Sequence, residues 1–549
     1  MSDREKQQQE DAVPQRIVRE HGRLRRAVVV FAAWAVLASC IAVYSSFGSN
    51  SPVPFDPSWK GVEDLFGEKK KKKKNVIFMV SDGMGPASVN LARTFRQYRD
   101  DLPHDDILTL DRHFVGHSRT MSSNSFITDS AAGATAFSCG RKSYNGAISV
   151  LPNHKPCGTV LEAAKMQGYK TGLVVTTRIT DATPACFSAH ANDRGEEDLI
   201  AEHQIGNYKL GRMVDLMIGG GRCHYLPRSV EGGCRHDSRN LVDEAIHNGW
   251  NYVGDMAGFQ SLDNGENVTL PLLGLLARTD IPFDLDRDRN VYPSLAESAR
   301  TALRALERAT EESDEGFFLM IEGSRIDHAG HSNDPAAQVR EVLAYDEAFR
   351  AAVEFAKQSD TETVVVSTSD HETGGVTVAR QLGSHYPAYL WKPEVLLNAS
   401  HSGEYLARKL KHHKSKDNKE LQRFVKHEIV EQGLGIYDAT DKEIDRLMRH
   451  KKGAQDIIVN MVSSRSQTGF TTHGHSAVDV NVYAFSKYGE TDVLRGSNEN
   501  TDVGAFIQSF LDLDLDRVTQ KLEGIKTTTN THRNKRKHHI DRYFHESAL

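Results

Sequence analysis

Residues 316–331 read GFFLMIEGSRIDHAGH. The stretch opens with a near-continuous apolar run, as expected for a strand buried on both faces. It then turns abruptly to chemistry: Glu322 near the strand's end, followed by Asp327, His328 and His331. The same pattern recurs along the chain. NVIFMV (75–80) is followed by SDGMG with Asp82, and TGLVVTT (171–177) by RITDATPACFSAHANDR with Asp181, Thr183 and Arg194. TVVVST (363–368) is followed by SDHETGG with Asp370 and His371. A fifth run, VNVYAF (480–485), instead has its polar residues before it, in TTHGHSAVD with His473 and His475.

Helical patterns lie between these strands. Leu295–Glu312 opens with a Ser294/Glu297 capping box and carries Leu295, Ala299, Ala302, Leu303 and Leu306 on one face. Another helix follows Asp334-Pro335, a cap residue and a proline at the first helical position. Alternating strand and helix predicts an α/β fold with a large, mostly parallel central sheet flanked by helices. Residues 377–465, rich in Lys, His and Glu, read as a smaller helical insertion into a domain spanning 75–515. Ligands of open α/β sheets bind beyond the carboxyl ends of the strands, which is where the acidic and imidazole residues fall.

The 549 residues hold 68 Lys+Arg against 74 Asp+Glu, a net charge of −6. This balance argues against a dedicated nucleic-acid binder, but it is unevenly distributed. Residues 1–26 carry +2 and end in an arginine cluster (Arg16, Arg19, Arg23, Arg25, Arg26). Residues 27–47, AVVVFAAWAVLASCIAVYSSF, contain no charge and are long enough to span a bilayer. A cleaved signal peptide would have its apolar region nearer the start. Arginines preceding the span place the N-terminus in the cytoplasm and the rest across the membrane, a single-pass type II anchor. Residues 48–74 read as a linker ending in six lysines, a solvated and self-repelling run. Residues 516–549 read as a basic C-terminal tail. Two sequons, at Asn267 and Asn398, fit a lumenal domain. The six cysteines form no CxxC pair, and Cys223 and Cys234 flank a loop that a disulfide could close in an oxidising lumen.

Taken singly, the polar residues are ordinary. Asp82 suits a strand-end turn, Asp129 and Ser130 suit a helix start in FITDSAAGATAFSCG, and Asp327 and His331 suit an i,i+4 pair. Gathered at one sheet edge, four carboxylates and three imidazoles would repel or stay partly protonated without a counter-charge. Divalent cations supply one: Asp, Glu and His suit zinc, and carboxylate with hydroxyl suits magnesium. A serine at a helix N-terminus beside them is a nucleophile in waiting, and an arginine fork binds two phosphate oxygens.

The ordered set SDGMG, TDSAAGATA, DATP…R, IEGSRIDHAGH, SDHETGG and THGHSAVD resembles the alkaline phosphatase family from about Asn75 to about Phe510. The single anchor gives it the layout of the family's fungal vacuolar membrane members. The resemblance implies that Ser130 is the nucleophile, passing through phosphoserine, and that Arg194 binds phosphate. It implies two Zn2+ and one Mg2+. Asp327, His331 and His475 match one zinc site, and Asp82, Asp370 and His371 the other. Asp82, Thr183 and Glu322 match the magnesium site. His475 is preferred to His473 because Asp479 follows it at the family's spacing. Asp181 and His328 match positions around the metals that vary between members. A homodimer acting on a broad range of phosphomonoesters is also implied. Of related hydrolases, a sulfatase would need a C-x-P-S-R string, which is absent, and a phosphodiesterase a threonine at position 130.

Overall fold

The computed structural model describes residues 72–415 and 417–529. The cytoplasmic tail at 1–26, the transmembrane anchor at 27–47, residues 48–71 of the linker and residues 530–549 lie outside the described residues. Among the described residues, no helix is long and apolar enough to cross a membrane.

One ten-stranded sheet organises the domain. Its strands are β1 (Lys74–Val80), β2 (Phe114–Arg119), β3 (Lys170–Arg178), β4 (Leu216–Gly220), β5 (Asn251–Val253), β6 (Leu272–Leu275), β7 (Phe317–Glu322), β8 (Glu362–Thr368), β9 (Val480–Phe485) and β10 (Gly496–Glu499). They run in the order β10-β2-β9-β8-β1-β7-β3-β4-β6-β5. Every pairing is parallel except those of β9 with β2 and β8. The central four, β8, β1, β7 and β3, end in register: Val80 lies beside both Glu322 and Thr368, and Val175 beside Glu322. Alternate residues of these strands enter different cores. Val76, Phe78 and Val80 pack on one face with Leu173, Phe318 and Val366. Ile77 and Met79 pack on the other with Leu319, Ile321 and Val365. A sheet covered on both faces needs apolar residues at consecutive positions, which is why its strands read as unbroken runs.

The helix Leu295–Ala309 has the expected capping box, with the Glu297 N–H donating to Ser294 Oγ at 3.2 Å. It stops three residues before the expected Glu312, because Thr310 leaves helical geometry and turns its hydroxyl back to the Leu306 carbonyl at 2.9 Å. Asp334 caps Pro335–Gln358 by accepting from the N–H groups of Ala336 and Ala337. Residues 377–465 fold mainly as helices after Thr377–Val378, which pairs antiparallel with Thr468–Gly469. Their apolar faces form a core of their own, completed by Leu91, Phe95, Ala336 and Val339 of the main body.

Both ends of the domain reach further than composition suggests. Lys74 begins β1 and donates to the Phe510 carbonyl at 2.8 Å, while Lys73 bonds the Thr310 carbonyl. The last lysines of the run are therefore docked rather than solvated. Residues 516–521 belong to the helix Leu515–Lys521, and Val518 and Leu522 are buried in the main core. The tail read as starting at 516 is thus packed protein at least to Thr529. Disulfides join Cys223 to Cys234 and Cys139 to Cys157. The second bridge spans 18 residues and has no local signature in the sequence. Cys186 is buried and free.

Against one face of the sheet, His190 and Glu162 pair at 2.9 Å, both fully buried, and Tyr208 donates to the same carboxylate at 2.7 Å. His203 accepts from the His190 N–H at 3.2 Å and stacks on Tyr208. Burial, reinforced by His190, pushes His203 down to about 3, so it stays neutral. Unfolded, it would titrate near 6.5. Below that pH the unfolded chain takes up the extra proton, so the stability this residue contributes declines as pH falls from 6.5 towards 3. Replacement by Gln, which keeps an acceptor for His190, removes this pH dependence. Denaturant titrations should show wild type losing about 2 kcal/mol more than His203→Gln between pH 7 and pH 5; parallel losses would refute the assignment.

Candidate active site

The sheet order assembles the site. β8, β1, β7 and β3 are neighbours and parallel, so the turns after them (Asp370 and His371; Asp82; Asp327 and His331; Asp181 and Thr183) emerge side by side. Glu322 is the last residue of β7. β9 runs antiparallel to β8, so the residues on this edge are those that precede it. That is why His475 comes before its strand while the other groups follow theirs. His475 pairs with Thr373 in a short antiparallel bridge that ties it to the Asp370–His371 turn. Close approach depends on glycine: Gly83 has φ +76°, and a Cβ there would lie 2.5 Å from Asp327 Cα.

Ser130 opens the helix Ser130–Cys139, whose cap Asp129 accepts from the Ala132 N–H at 2.9 Å. Its Oγ lies 3.2 Å from His371 Nε2. That nitrogen is also 3.2 Å from Asp370 Oδ2 and 3.6 Å from Asp82 Oδ1. Next to it, Asp327 Oδ2 is 3.3 Å from His331 Nε2, and Asp327 Oδ1 is 3.7 Å from His475 Nε2. The His371 and His475 rings stack at 3.5 Å. Backbone carbonyls orient two imidazoles, with Nδ1 of His475 on Thr128 and Nδ1 of His331 on His473. Each Nε2 is thereby turned inward. Arg194 extends its fork between Asp129 at 3.5 Å and Asp181 at 3.1 Å.

The electrostatics are those of charges crowded out of water. Burial, then Asp370, Asp327 and Glu322, push Asp82 well above the carboxylate range. Burial raises Glu322 to about 8 and, with Asp327, Asp370 to about 6. Burial alone would raise Asp327, but His331, His475 and His371 outweigh it and hold that carboxyl well down. His371 is driven well below the imidazole range by burial and by His475. Burial is also overcome at Asp181, where Arg178 and Arg194 bring the carboxyl down to about 2.

Two overlapping groups, Asp327/His331/His475 and Asp82/Asp327/His371, each bring their ligand atoms within 4.8 Å of one another. Asp82 Oδ1 and Asp370 Oδ2 are buried and short of hydrogen-bond donors, both turned to the one His371 Nε2 at 3.6 and 3.2 Å. Such buried acceptors in a pool of mutually raised carboxylates fit divalent cations, so the donor set passes as a metal centre. Cys223, His224 and Cys234 also cluster, but both sulfurs are spent in a disulfide.

Ser130, Arg194 and the residues matched to the metal sites are buried or nearly so at this edge, whereas His473 is exposed. Two others stand slightly aside. His328 faces Arg325 at 3.2 Å and Asp280 at 3.8 Å, held down to about 4 chiefly by burial. Asp181 caps the helix Ala182–Ser188 and is gripped by Arg178 at 3.0 Å. His473 supports His331 from behind, its Nδ1 2.7 Å from the His331 carbonyl. Sequence reasoning missed Arg178, Ser324 and Thr373. Ser324 donates to Glu322 at 2.6 Å, and Thr373 donates to Asp327 and lies 3.2 Å from His371 Nδ1. Thr373 lies inside SDHETGG, so its place in that string was the available signal.

Fold and donor set together define a class, a hydrolase of phosphate esters working with divalent cations. The family model for alkaline phosphatase matches residues 73–513. The repressible alkaline phosphatase of Saccharomyces cerevisiae is 58% identical over 500 residues, 86% of this chain and 88% of that one. Among solved structures, the cold-active alkaline phosphatase of Shewanella sp. is 30% identical with a TM-score of 0.67, covering 80% of this chain and 99% of that one. A variant of the alkaline phosphatase from the Antarctic bacterium TAB5, solved with Mg bound in its M3 site, is 26% identical with a TM-score of 0.55, covering 81% of this chain and 100% of that one. The chain belongs to the alkaline phosphatase family and is a phosphomonoesterase, in a family that uses metal ions.

Two expectations of opposite sign test the donor set. In metal-free protein, Asp370→Asn relieves carboxylate repulsion and should raise stability by about 1–3 kcal/mol. In zinc-loaded protein the same change should lower Tm and zinc content, because a ligand is lost. Thermal melts with and without chelator, paired with metal analysis, measure both; destabilisation of the metal-free form would contradict the repulsion argument.

Proposed function

We propose that the protein hydrolyses phosphate monoesters through a phosphoserine formed on Ser130. The observation that carries this reading is Ser130 Oγ at a helix start, 3.2 Å from His371 Nε2, a nitrogen that buried oxygens of Asp82 and Asp370 also face. Asp327, His331 and His475 would hold one zinc, and Asp82, Asp370 and His371 a second. Asp82, Thr183 and Glu322 would hold magnesium. When bound, the cations supply Lewis-acid charge to the attacking and departing oxygens of an in-line displacement.

The chain's own groups do the rest. Arg194, aligned by Asp129 and Asp181, turns its fork to two phosphoryl oxygens. The N-terminus of Ser130–Cys139 favours the same anion. Ser130 Oγ bonds to phosphorus as the ester oxygen leaves, and the proton lost by the serine is matched by one gained on the leaving alcohol. Water then attacks the phosphoserine, returning Ser130 to its hydroxyl form and releasing inorganic phosphate. Ser130→Ala should abolish trapping of labelled phosphate on the protein and reduce turnover of p-nitrophenyl phosphate by more than about 10³-fold, with zinc content near normal. Turnover near wild type would overturn the assignment.

We further propose that residues 27–47 form a single-pass anchor, with residues 1–26 in the cytoplasm and the catalytic domain in the lumen of the vacuole. The charge-free span preceded by arginines supports this. So do two disulfides, which suit an oxidising compartment, and the exposed sequon residues Asn267 and Asn398. A homodimer with broad phosphomonoester use completes the reading. Protease added to sealed vesicles should spare the catalytic domain and remove only the N-terminal tail; digestion of the domain would reverse the topology.

A further inference from the structure

We propose that the segment 522–529, far along the chain, is a strap that positions Arg194. The inference rests on Arg194 being the phosphate ligand, as read above. Arg194 lies on the short loop from Asn192 to Glu196, pinned from two sides. On one side the Arg194 N–H donates to the Gly146 carbonyl at 2.8 Å, and Tyr144 donates to the Asn192 carbonyl at 3.0 Å. On the other side the partners come from the strap. The Asn192 N–H donates to the Thr527 carbonyl at 2.8 Å. Glu196 is 6% exposed as a residue, and its carboxylate takes the Thr528 hydroxyl at 2.9 Å, the Thr529 N–H at 3.2 Å on each oxygen, and the Thr529 hydroxyl. These partners are more than 330 residues away in sequence.

The strap is itself fastened. Leu522 is fully buried, Ile525 packs on the main core, and Lys209 Nζ donates to the Glu523 carbonyl at 2.6 Å. Asp129 and Asp181 align the guanidinium, but they do not hold the backbone that carries it. A buried carboxylate stripped of its donors must move to find water. Glu196 lies two residues from Arg194, so that movement would carry the arginine with it. Displacement by about 1 Å is enough to weaken recognition of a bound group strongly. Glu196 and the strap are therefore positioning residues that act through Arg194.

The test is p-nitrophenyl phosphate hydrolysis with inorganic phosphate as competitive inhibitor, with full-length protein as the reference and zinc content measured for each variant. Glu196→Ala, and a chain ended after Leu522, should each raise KM and the phosphate Ki by about tenfold while zinc content holds. Should the shortened chain fail to fold, Thr528→Val with Thr529→Val removes the hydroxyl donors alone and should act in the same direction. In an Arg194→Ala background, Glu196→Ala should add less than about twofold. An unchanged or lower phosphate Ki in Glu196→Ala overturns the inference, as does a full additive effect without the arginine. If Arg194→Ala itself leaves the phosphate Ki unchanged, the reading of Arg194 falls, and the inference with it.

Discussion

The structure turns on electrostatic repulsion that the fold creates and that a proton or a cation relieves. Asp82, Glu322 and Asp370 stand at the ends of three adjacent strands, raised first by burial and then by the charge of neighbouring carboxylates. A sheet of apolar strands cannot disperse that charge, because consecutive residues are committed to two cores. The carboxylates therefore collect where the strands end. Asp327 escapes the pattern only because three imidazoles surround it. Metal use in this family is the physical answer to such an arrangement: charges that repel one another are the ones that would favour a bound cation.

Around this centre, many of the groups are fixed by something other than the metal they would meet. Backbone carbonyls orient His331 and His475, Thr373 bridges Asp327 and His371, and Ser324 holds Glu322. Arg194 is aligned by two carboxylates, one of which is gripped in turn by Arg178. The site is thus preorganised by hydrogen bonds at the ends of rigid strands, the condition under which charge stabilisation is most effective.

Much of this was legible in the sequence. The unbroken apolar runs announced strands buried on both faces, and the acidic and imidazole residues after them announced a shared edge. The caps at Ser294 and Asp334 were local chemistry and were read correctly. The end of the helix after Ser294 was not, because a threonine hydroxyl competing for a backbone carbonyl leaves no pattern. Composition misled at both ends of the domain. Lysines and threonines look solvated in sequence, yet Lys74 starts a strand and Thr527–Thr529 lie across the Arg194 loop.

By itself the sequence determined the α/β class, a set of candidate site residues and the family to which the chain belongs. These depend on residue type and local spacing, which a linear reading preserves. Tertiary structure alone decided which strands are neighbours, and so why four turns and one preceding segment meet. It decided that β9 runs against β8, placing His475 before its strand. It decided the partnership of Cys139 with Cys157, and the support given to Arg194 by residues more than 330 positions away. The reason is common to all of these: pairing across a fold depends on strand order and direction, which no stretch of sequence encodes on its own.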